Sequence, residues 1–362
     1  MAHRTRSAWL RASVAATLAA LPGCKDTPPP PTPAPMAALS PAPVAPTALT
    51  KAPPPPAART DAAVMIAAFE KAMNSANWED ALAYYADDYE QVMASQQGAV
   101  LRGKANLRAV WALSRQTFPG LQIKTRRIFD LGDTVVLQAV GVGRHTGDMQ
   151  GLPPTGNAIG AQSAIVLTRA GDQWKRGIAY NNNAAVFRQI GRLKDREHPV
   201  PALPSSSDVV RGAAPQAVFA ETAKRLYAAL DRGDVAAAAT LRSPAFLWAD
   251  HSEGQGPRPW GAYQEAALQL RKAFPDLKRI VEAVHGAGDY VVACVRFEGT
   301  HTGPWGSLKA TGKKLVRHGL DVVRFDRGKV ALIESYADPL ETLVARGLAP
   351  GGSALVTSSP KK

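Results

Sequence analysis

The sequence predicts an α+β fold built from two tandem cone-shaped domains, each a curved antiparallel sheet covered by N-terminal helices. The first observation is an internal repeat. Phe118-Pro119-Gly120-Leu121 returns as Phe274-Pro275-Asp276-Leu277, and the two stretches then run without a gap, at a constant spacing of 156 residues (274 − 118), to Gly191 and Gly347. The second is the order within each copy, where residues with helical periodicity precede residues with strand alternation. This order is typical of α+β domains.

The first 23 residues have the pattern of a signal peptide. Basic residues precede an apolar run over residues 15–21, and small residues then lead to Cys24. The stretch Leu21-Pro22-Gly23-Cys24 resembles the bacterial lipoprotein signal, in which the cysteine is lipidated and begins the mature chain. We therefore expect a lipid on Cys24 to anchor the protein to a membrane of the cell envelope, facing the periplasm or the cell exterior. The alternative is a plain cleaved signal in which Cys24 has no role.

Three further segments have the composition of unfolded chain. Residues 24–59 form a Pro/Ala-rich tether, for which extended polyproline geometry is favoured. Residues 194–213 are a linker rich in Pro and Ser, and residues 350–362 are expected to be a disordered tail. Residues 60–193 and 214–349 remain as the two domains.

Apolar spacing and turn residues predict the elements of both domains. In the first, helices are expected over residues 61–73, 78–85, 104–117 and 183–190, and strands over residues 89–93, 121–129, 134–143, 158–168 and 173–180. The second repeats the order, with helices over residues 216–230, 235–241 and 262–274, and strands over residues 246–249, 277–284, 290–297, 314–325 and 329–336.

The formal net charge of +13 does not indicate a nucleic-acid partner. Lys and Arg are spread over both copies without clustering among aromatic residues, so the charge is interpreted as a solvated surface. The histidines are scattered, without paired spacing on one element, so no metal is expected, and no motif for another cofactor is found. Cys294 lies in an apolar strand pattern, where a buried side chain without a disulfide is expected.

The element order and several motifs resemble the nuclear-transport-factor-2-like fold, and within it the SnoaL-like family of polyketide (ester) cyclases. The motifs of the second copy are Phe274 to Leu277, Gly299 to Gly303, Thr311-Gly312-Lys313, Arg324 with Gly328-Lys329, and Asp338 with Gly347; the first copy matches at His145-Thr146-Gly147 and at Pro153 to Asn157. The resemblance implies a cofactor-free ring closure, in which a carboxylate in an apolar pocket moves a proton.

Three carboxylates are candidates for this acid/base role. A base that removes a proton beside a carbonyl needs a pKa that burial raises towards the working pH. The last strand supplies Glu334 and Asp338, and the strand before it supplies Asp321. Glu334, Tyr336 and Asp338 would share one face, because side chains alternate along a strand. Members of the family often carry Trp and then Asp on this strand, where this chain has Glu334-Ser335. Glu334 is thus an alternative base if it faces inward and a surface residue otherwise.

Asp338 has a structural interpretation beside the catalytic one. Asp followed by Pro339 is a helix start signal. Asn182 stands at the equivalent position of the first copy, and Asn caps a helix as well as Asp does but cannot exchange a proton. Either the first copy is inactive or capping is the role of both residues, and capping and catalysis can coexist in Asp338.

Five residues are candidates for ligand binding: Tyr336 and its counterpart Tyr180, together with His145, His301 and His318. His145 and His301 recur in turns, where the alternative is a histidine bonded to backbone. His318 corresponds to Gln162 of the first copy, so it marks a difference between the copies.

Three functions remain open for an envelope protein of this kind. It could be a cofactor-free acid/base enzyme of the cyclase or isomerase type, a pocket that binds a small apolar molecule, or a non-catalytic structural or interaction module. The second domain is the better candidate for a pocket. Polyketide intermediates are made in the cytoplasm, whereas the signal exports this chain, which weighs against polyketide cyclisation itself. Because this fold often pairs sheet against sheet, we also expect an internal pseudo-dimer.

Overall fold

The structure, a computed structural model, describes residues 60–94, 98–149, 151–212 and 216–348. The predicted signal peptide, the Cys24 lipidation site, the tether and the predicted tail lie outside these residues. The described residues belong to one compact unit. No helix among them is long and apolar enough to cross a membrane.

The first domain begins with two helices, has a third helix between its second and third strands, and ends with a short fourth helix. Its elements are α1 (Ala62–Asn74), α2 (Trp78–Leu82), β1 (Tyr85–Met93), β2 (Ala99–Arg102), α3 (Lys104–Thr117), β3 (Gln122–Asp130), β4 (Thr134–Arg144), β5 (Ala158–Ala170), β6 (Gln173–Tyr180) and α4 (Asn183–Gln189). Strands β3 to β6 lie within two residues of the predicted ranges, whereas β1 begins four residues before its predicted range of 89–93. The second helix ends three residues earlier than predicted, because Tyr85 already belongs to β1.

The linker and the second domain continue the same order. Their elements are β7 (Asp208–Val210), α5 (Gln216–Arg232), α6 (Val235–Leu241), β8 (Arg242–Asp250), β9 (Gln255–Pro259), α7 (Trp260–Ala273), β10 (Lys278–Ala287), β11 (Tyr290–Thr300), β12 (Lys314–Asp326), β13 (Lys329–Ala337) and α8 (Pro339–Ala345). The sequence did not predict β2, β7 and β9. These strands are short and largely exposed, so they lack the apolar alternation that identifies a strand.

Each domain has its own sheet. The strand order is β2-β1-β6-β5-β4-β3-β7 in the first and β10-β11-β12-β13-β8-β9 in the second. Consecutive long strands pair antiparallel. Each sheet also contains parallel pairs, β1 with β6 and β3 with β7 in the first and β8 with β13 in the second. These pairs join strands that are far apart in sequence, so no hairpin fixes their direction.

The repeated His-Thr-Gly motif forms a turn that packs on the end of a helix. In the second domain the Gly303 N–H donates to the carbonyl of Ala273 over 3.0 Å, at the end of α7. A Cβ at Gly303 would lie 1.8 Å from the carbonyl oxygen of Lys272, and a Cβ at Gly147 would lie 1.8 Å from that of Gln116. Only glycine allows this close approach of two backbones, which explains why the motif occurs at the same place in both copies.

An apolar cluster lies between the helices and the sheet of each cone. The first cone cluster is rich in aromatic and aliphatic side chains and includes Met65, Tyr85, Tyr89, Leu107, Ile128, Leu137 and Trp174. The second cone cluster includes Leu226, Tyr227, Phe246, Trp248, Tyr263, Val295, Phe297, Val323 and Ile333. The helices therefore cover one face of each sheet.

The opposite faces of the two sheets contribute to a common group of buried side chains, here called the shared cluster. It joins Phe129, Val136, Ala164, Val166 and Tyr180 of the first domain to Val292, Cys294, Leu320, Val322 and Tyr336 of the second. The Cys294 side chain is buried there. Along β12, Leu320 and Val322 belong to the shared cluster and Val323 to the second cone cluster, as the alternation of side chains along a strand requires.

Candidate functional site

Asp321 lies inside the second cone, at the centre of a chain of hydrogen bonds. The Tyr227 hydroxyl on α5 donates to Asp321 Oδ2 over 2.9 Å. Ser335 is the direct neighbour of Asp321 on β13, and its side chain is hydrogen-bonded to the Asp321 carboxyl group. The indole N–H of Trp248 donates to Ser335 Oγ over 3.2 Å. Tyr227 of α5 and Ser335 of β13 therefore bond to the Asp321 carboxyl group directly, and Trp248 of β8 is linked to it through Ser335.

Burial raises the pKa of the Asp321 carboxyl above its ordinary value of 3.8, although the positive charge of Arg279 and the hydrogen bonds of Ser335 and Tyr227 act to lower it. Asp321 is 7% exposed. A carboxyl group in this environment holds its proton more strongly than a surface aspartate does. It can therefore exchange a proton closer to neutral pH.

Two arginines whose charges act on the Asp321 carboxyl group stack on one aromatic ring. Arg279 on β10, Phe297 on β11 and Arg317 on β12 form a direct row across three strands. The guanidinium carbons of Arg279 and Arg317 lie 5.0 and 4.6 Å from the centre of the Phe297 ring. Arg279 also forms an ion pair with Asp231 over 3.3 Å. The interior of the second cone is thus both aromatic and charged.

The first cone lacks the equivalent acid. The residues 156 positions before Asp321 and Ser335 are Ile165 and Ala179. Ile165 packs against the first cone cluster, so an apolar side chain replaces the carboxyl group. The two copies share a fold but differ at the position where acid/base chemistry would take place.

Glu334 and Tyr336 lie on the other face of β13, between the two sheets and not inside the cone. Glu334 accepts from Arg126 Nη2 over 2.5 Å and from Arg127 Nη1 over 2.8 Å, and both arginines belong to the first domain. The Tyr336 hydroxyl accepts from Gln138 Nε2 over 2.9 Å. Because Asp321 pairs with Ser335 and not with Glu334, the predicted carboxylates do not form one site.

The contacts of Glu334 keep it ionised. Burial alone would raise the pKa of this carboxyl, but the hydrogen bond from His251 and the charge and hydrogen bond of Arg126 outweigh burial and lower the pKa far below its ordinary range. A base with a strongly lowered pKa has little tendency to take up a proton at neutral pH. The geometry therefore favours an ion-pairing role for Glu334 between the domains.

Asp338 is a helix cap for both domains at once. Its Oδ1 accepts from the N–H of Leu340 in α8 and from the N–H of Ala184 in α4, each over 3.1 Å. Its Oδ2 accepts from the side chain of Asn183 over 2.9 Å and from the Asn183 N–H over 3.3 Å. Burial raises its pKa, and these N–H donors oppose that shift. All its contacts are with helix starts, so the geometry favours the capping interpretation.

Asn182 has the matching place in the first domain. Its side-chain oxygen accepts from the Ala185 N–H over 3.0 Å, which caps α4. Its side-chain nitrogen donates to the carbonyls of His251 and Ser252 in the second domain, over 3.2 and 2.9 Å. Both caps therefore reach across from their own domain to the other.

His145 and His301 are buried turn residues. His301 Nδ1 lies 3.0 Å from Thr311 Oγ1, and His145 Nδ1 lies 3.1 Å from Thr155 Oγ1. Burial lowers the pKa of both rings. Each histidine joins its turn to the following Thr-Gly loop, which favours the structural interpretation.

His318 and Tyr180 also lie away from the second cone. His318 follows Arg317 on β12, so its side chain points to the opposite face, where it is hydrogen-bonded to the backbone of Ala94 in the first domain. Tyr180 belongs to the shared cluster and is hydrogen-bonded to Cys294. Of the eight residues predicted for catalysis or ligand binding, only Asp321 faces the second cone.

Two surface depressions have volumes of ≈ 410 and ≈ 430 Å³, and neither is lined by Asp321 or its hydrogen-bond partners. The first is lined by α2 and α3 residues that include Glu79, Lys104 and Arg108. The second lies where the first domain meets β10, and includes Thr134, Gln216 and His285. Among the described residues, no group of three His, Cys, Asp or Glu side chains is placed to hold a metal ion.

No local sequence pattern marked Tyr227, Trp248, Arg279, Arg317 or Ser335 as site residues. A signal for Ser335 and for the role of Asp321 was present in the comparison of the two copies, because these residues replace Ala179 and Ile165 at equivalent positions. An acid that replaces a buried apolar residue in one of two copies indicates a change of role. That signal could be interpreted only with the knowledge of which strand face points into the cone.

The chain matches known proteins at two levels. The model of the SnoaL-like polyketide cyclase family matches residues 63–190 and again residues 220–345. Among solved structures, AclR from Streptomyces galilaeus is similar at 23% identity over 37% of this chain and 84% of its own, with a TM-score of 0.35. IdmH from Streptomyces antibioticus is similar at 21% identity over 36% of this chain and 97% of its own, with a TM-score of 0.33. No curated protein matches the chain.

The two family matches carry the assignment, because together they span more than half of the chain and each falls on one of the two described domains. The chain belongs to the SnoaL-like polyketide cyclase family, with two family domains in tandem.

Proposed function

We propose that the second domain binds a small apolar molecule and transfers a proton to or from it, with Asp321 as the acid/base group. The observation that carries this proposal is the buried Asp321 carboxyl group, which accepts from Tyr227 inside an aromatic cone and has a raised pKa. The first domain, with Ile165 at the equivalent position, acts as a non-catalytic partner.

The surroundings of Asp321 fit proton abstraction beside a carbonyl. In its ionised form Asp321 takes the proton, and Tyr227 and Ser335 hold the carboxyl group in place through hydrogen bonds. The negative charge that develops on the carbonyl oxygen of the ligand is stabilised by a nearby cation, and Arg279 supplies one within the same interior. No cofactor is needed for this step.

An apolar ligand has a surface to approach. Several side chains that pack against the second cone cluster are only partly buried, among them Trp260 and Leu270 on α7 and Leu277 before β10. They pack against a cluster that contains Trp248, Tyr263 and Phe297. Sites for small molecules are lined predominantly by hydrophobic and aromatic side chains of this kind.

The test is the exchange of acidic C–H protons for deuterium. With 2-acetylnaphthalene as the enolisable ketone in D₂O, proton NMR should show faster loss of the methyl signal with the protein than in buffer. Asp321→Asn should slow the catalysed exchange by about 100-fold to 10,000-fold, the range expected for loss of a general base. Since the base must be ionised, the catalysed rate should rise with pH through a pKa above the ordinary value of 3.8.

The matched control is Glu265→Gln, which makes the same change from carboxylate to amide on the exposed face of α7 and should leave the exchange rate unchanged. Equal rates for the protein and for Asp321→Asn would contradict the proposal. They would favour the alternative that the protein is a non-catalytic structural or interaction module.

We also propose that a lipid on Cys24 holds both domains at the cell envelope, on the sequence pattern of residues 1–24. The wild-type protein should fractionate with membranes and incorporate labelled palmitate. Cys24→Ser should be soluble and unlabelled. Label retained in that variant would contradict the proposal.

A further inference from the structure

Arg317 is a half-buried cation without an ion pair among the described residues. Its Nε is buried and makes no hydrogen bond. Among the residues that the structure describes, its guanidinium group has no ion pair within 4 Å and its closest recorded contact is the face of Phe297, at 4.6 Å. A buried polar atom without a hydrogen-bonding partner is costly, and no carboxylate in the described part of the chain contacts the guanidinium group, so Arg317 is available to bind an anion.

The acids nearby are already engaged. Asp231 pairs with Arg279 over 3.3 Å, and Glu253 pairs with Arg196 over 3.0 Å and lies 3.5 Å from Arg188. The remaining acid is Asp321, which interacts with Arg317 only at longer range. When Asp321 takes up a proton, it no longer balances the positive charges of Arg279 and Arg317. Asp231 then remains as the balancing carboxylate of these two arginines.

We propose that the ligand of the second cone is an aromatic or apolar carboxylate, whose anionic group is bound by the Arg317 guanidinium. This inference rests on the proposed function, because it places the ligand beside Asp321. A carboxylate matches the planar fork of an arginine and can accept two parallel hydrogen bonds from it. The Phe297 ring holds the guanidinium plane through its cation–π contact, and the aromatic cone receives the apolar part of the ligand.

The test uses two probes of the same shape. 2-Naphthoate carries a carboxylate, whereas 2-acetylnaphthalene carries a neutral methyl ketone on the same ring system. Isothermal titration calorimetry with the protein should give an affinity for 2-naphthoate about tenfold to 100-fold higher, as expected for charge-assisted hydrogen bonds. Arg317→Met should remove this preference and change the affinity for the neutral probe by less than about threefold.

Arg242→Met is the matched control. Like Arg317, Arg242 stacks on an aromatic ring, that of Trp260 at 5.4 Å, and has a buried Nε without a hydrogen bond. It pairs with Val330 at the opposite end of the sheet, so its loss should leave the preference intact. Arg317→Lys keeps the positive charge but not the planar fork, and should retain part of the preference. This variant serves as the second test if Arg317→Met does not fold.

The outcomes separate the two proposals. If neither probe binds, both the proposed function and this inference fail. If both probes bind equally, or if Arg317→Met keeps the preference, the carboxylate inference fails and the proposed function stands. If Arg317→Met removes the preference for 2-naphthoate and Arg242→Met does not, the result supports both the proposed function and the carboxylate inference.

Discussion

Replacement of Glu334 by Ala should destabilise the protein by about 3–5 kcal/mol, because it removes one partner of a buried ion pair and leaves the other partners without compensation. The Glu334 side chain is 4% exposed, and it connects the second domain to Arg126 and Arg127 of the first. The free energy of unfolding from urea denaturation measures the loss. Adding Arg127→Met should recover part of it, because one of the two uncompensated cations is then removed as well.

Glu282→Ala is the control for this prediction. Glu282 pairs with Arg296 over 2.7 Å, but it is 39% exposed, and exposed ion pairs contribute about 0–1 kcal/mol. A loss as small for Glu334→Ala as for Glu282→Ala would refute the proposed role of Glu334 between the domains.

The pH dependence of the Glu334 contribution has a defined sign. The folded protein lowers the pKa of this carboxyl from its ordinary value of 4.5, so the unfolded chain takes up its proton first as the pH falls. The contribution is complete above the ordinary value and is lost as the pH falls through the lowered pKa. The stability difference between the wild type and Glu334→Gln should therefore shrink below about pH 4.5.

Replacement of Asp338 by Ala should cost about 3–4 kcal/mol, more than an ordinary helix cap. A cap contributes about 1 kcal/mol, and each buried donor left without a partner costs about 1–3 kcal/mol. Asp338 accepts from two helix starts, at Leu340 and Ala184. Its own desolvation, visible in its raised pKa, offsets part of this stabilisation. Asp338→Asn retains one acceptor oxygen and carries no charge, so it should cost less.

The place in the fold where Asp338→Ala loses stability tests the shared cap more directly than the size of the loss does. Hydrogen exchange in Asp338→Ala should lose protection at the Ala184 amide, which belongs to the other domain. Asp234→Ala is the control, because Asp234 is exposed and caps α6 through the Ala237 N–H over 3.0 Å, within its own domain. Protection at Ala184 that survives Asp338→Ala would exclude a cap shared between the domains.

The sequence by itself determined the tandem repeat, the α+β class, most of the long elements and the family. These follow from local patterns, namely apolar periodicity, turn residues and repeated motifs, each of which is present in a short stretch of chain. The helix-start signal at Asp338-Pro339 belongs to the same class, and the Asp338 side chain does cap α8. Short exposed strands such as β2 were missed, because their pairing depends on a neighbour and not on their own sequence.

Only the tertiary structure decided which polar residues face a cone and which face the other domain. Glu334, Ser335 and Tyr336 are consecutive on β13, and their side chains point to alternate faces of the sheet. A shift of one residue along the strand therefore moves a side chain from the cone to the space between the sheets. Burial raises the pKa of Asp321 against the opposing effects of Arg279 on β10, Ser335 on β13 and Tyr227 on α5. Asp338 reaches a second helix more than 150 residues away in sequence. Such environments are sums of distant contacts, so no local pattern in the sequence can specify them.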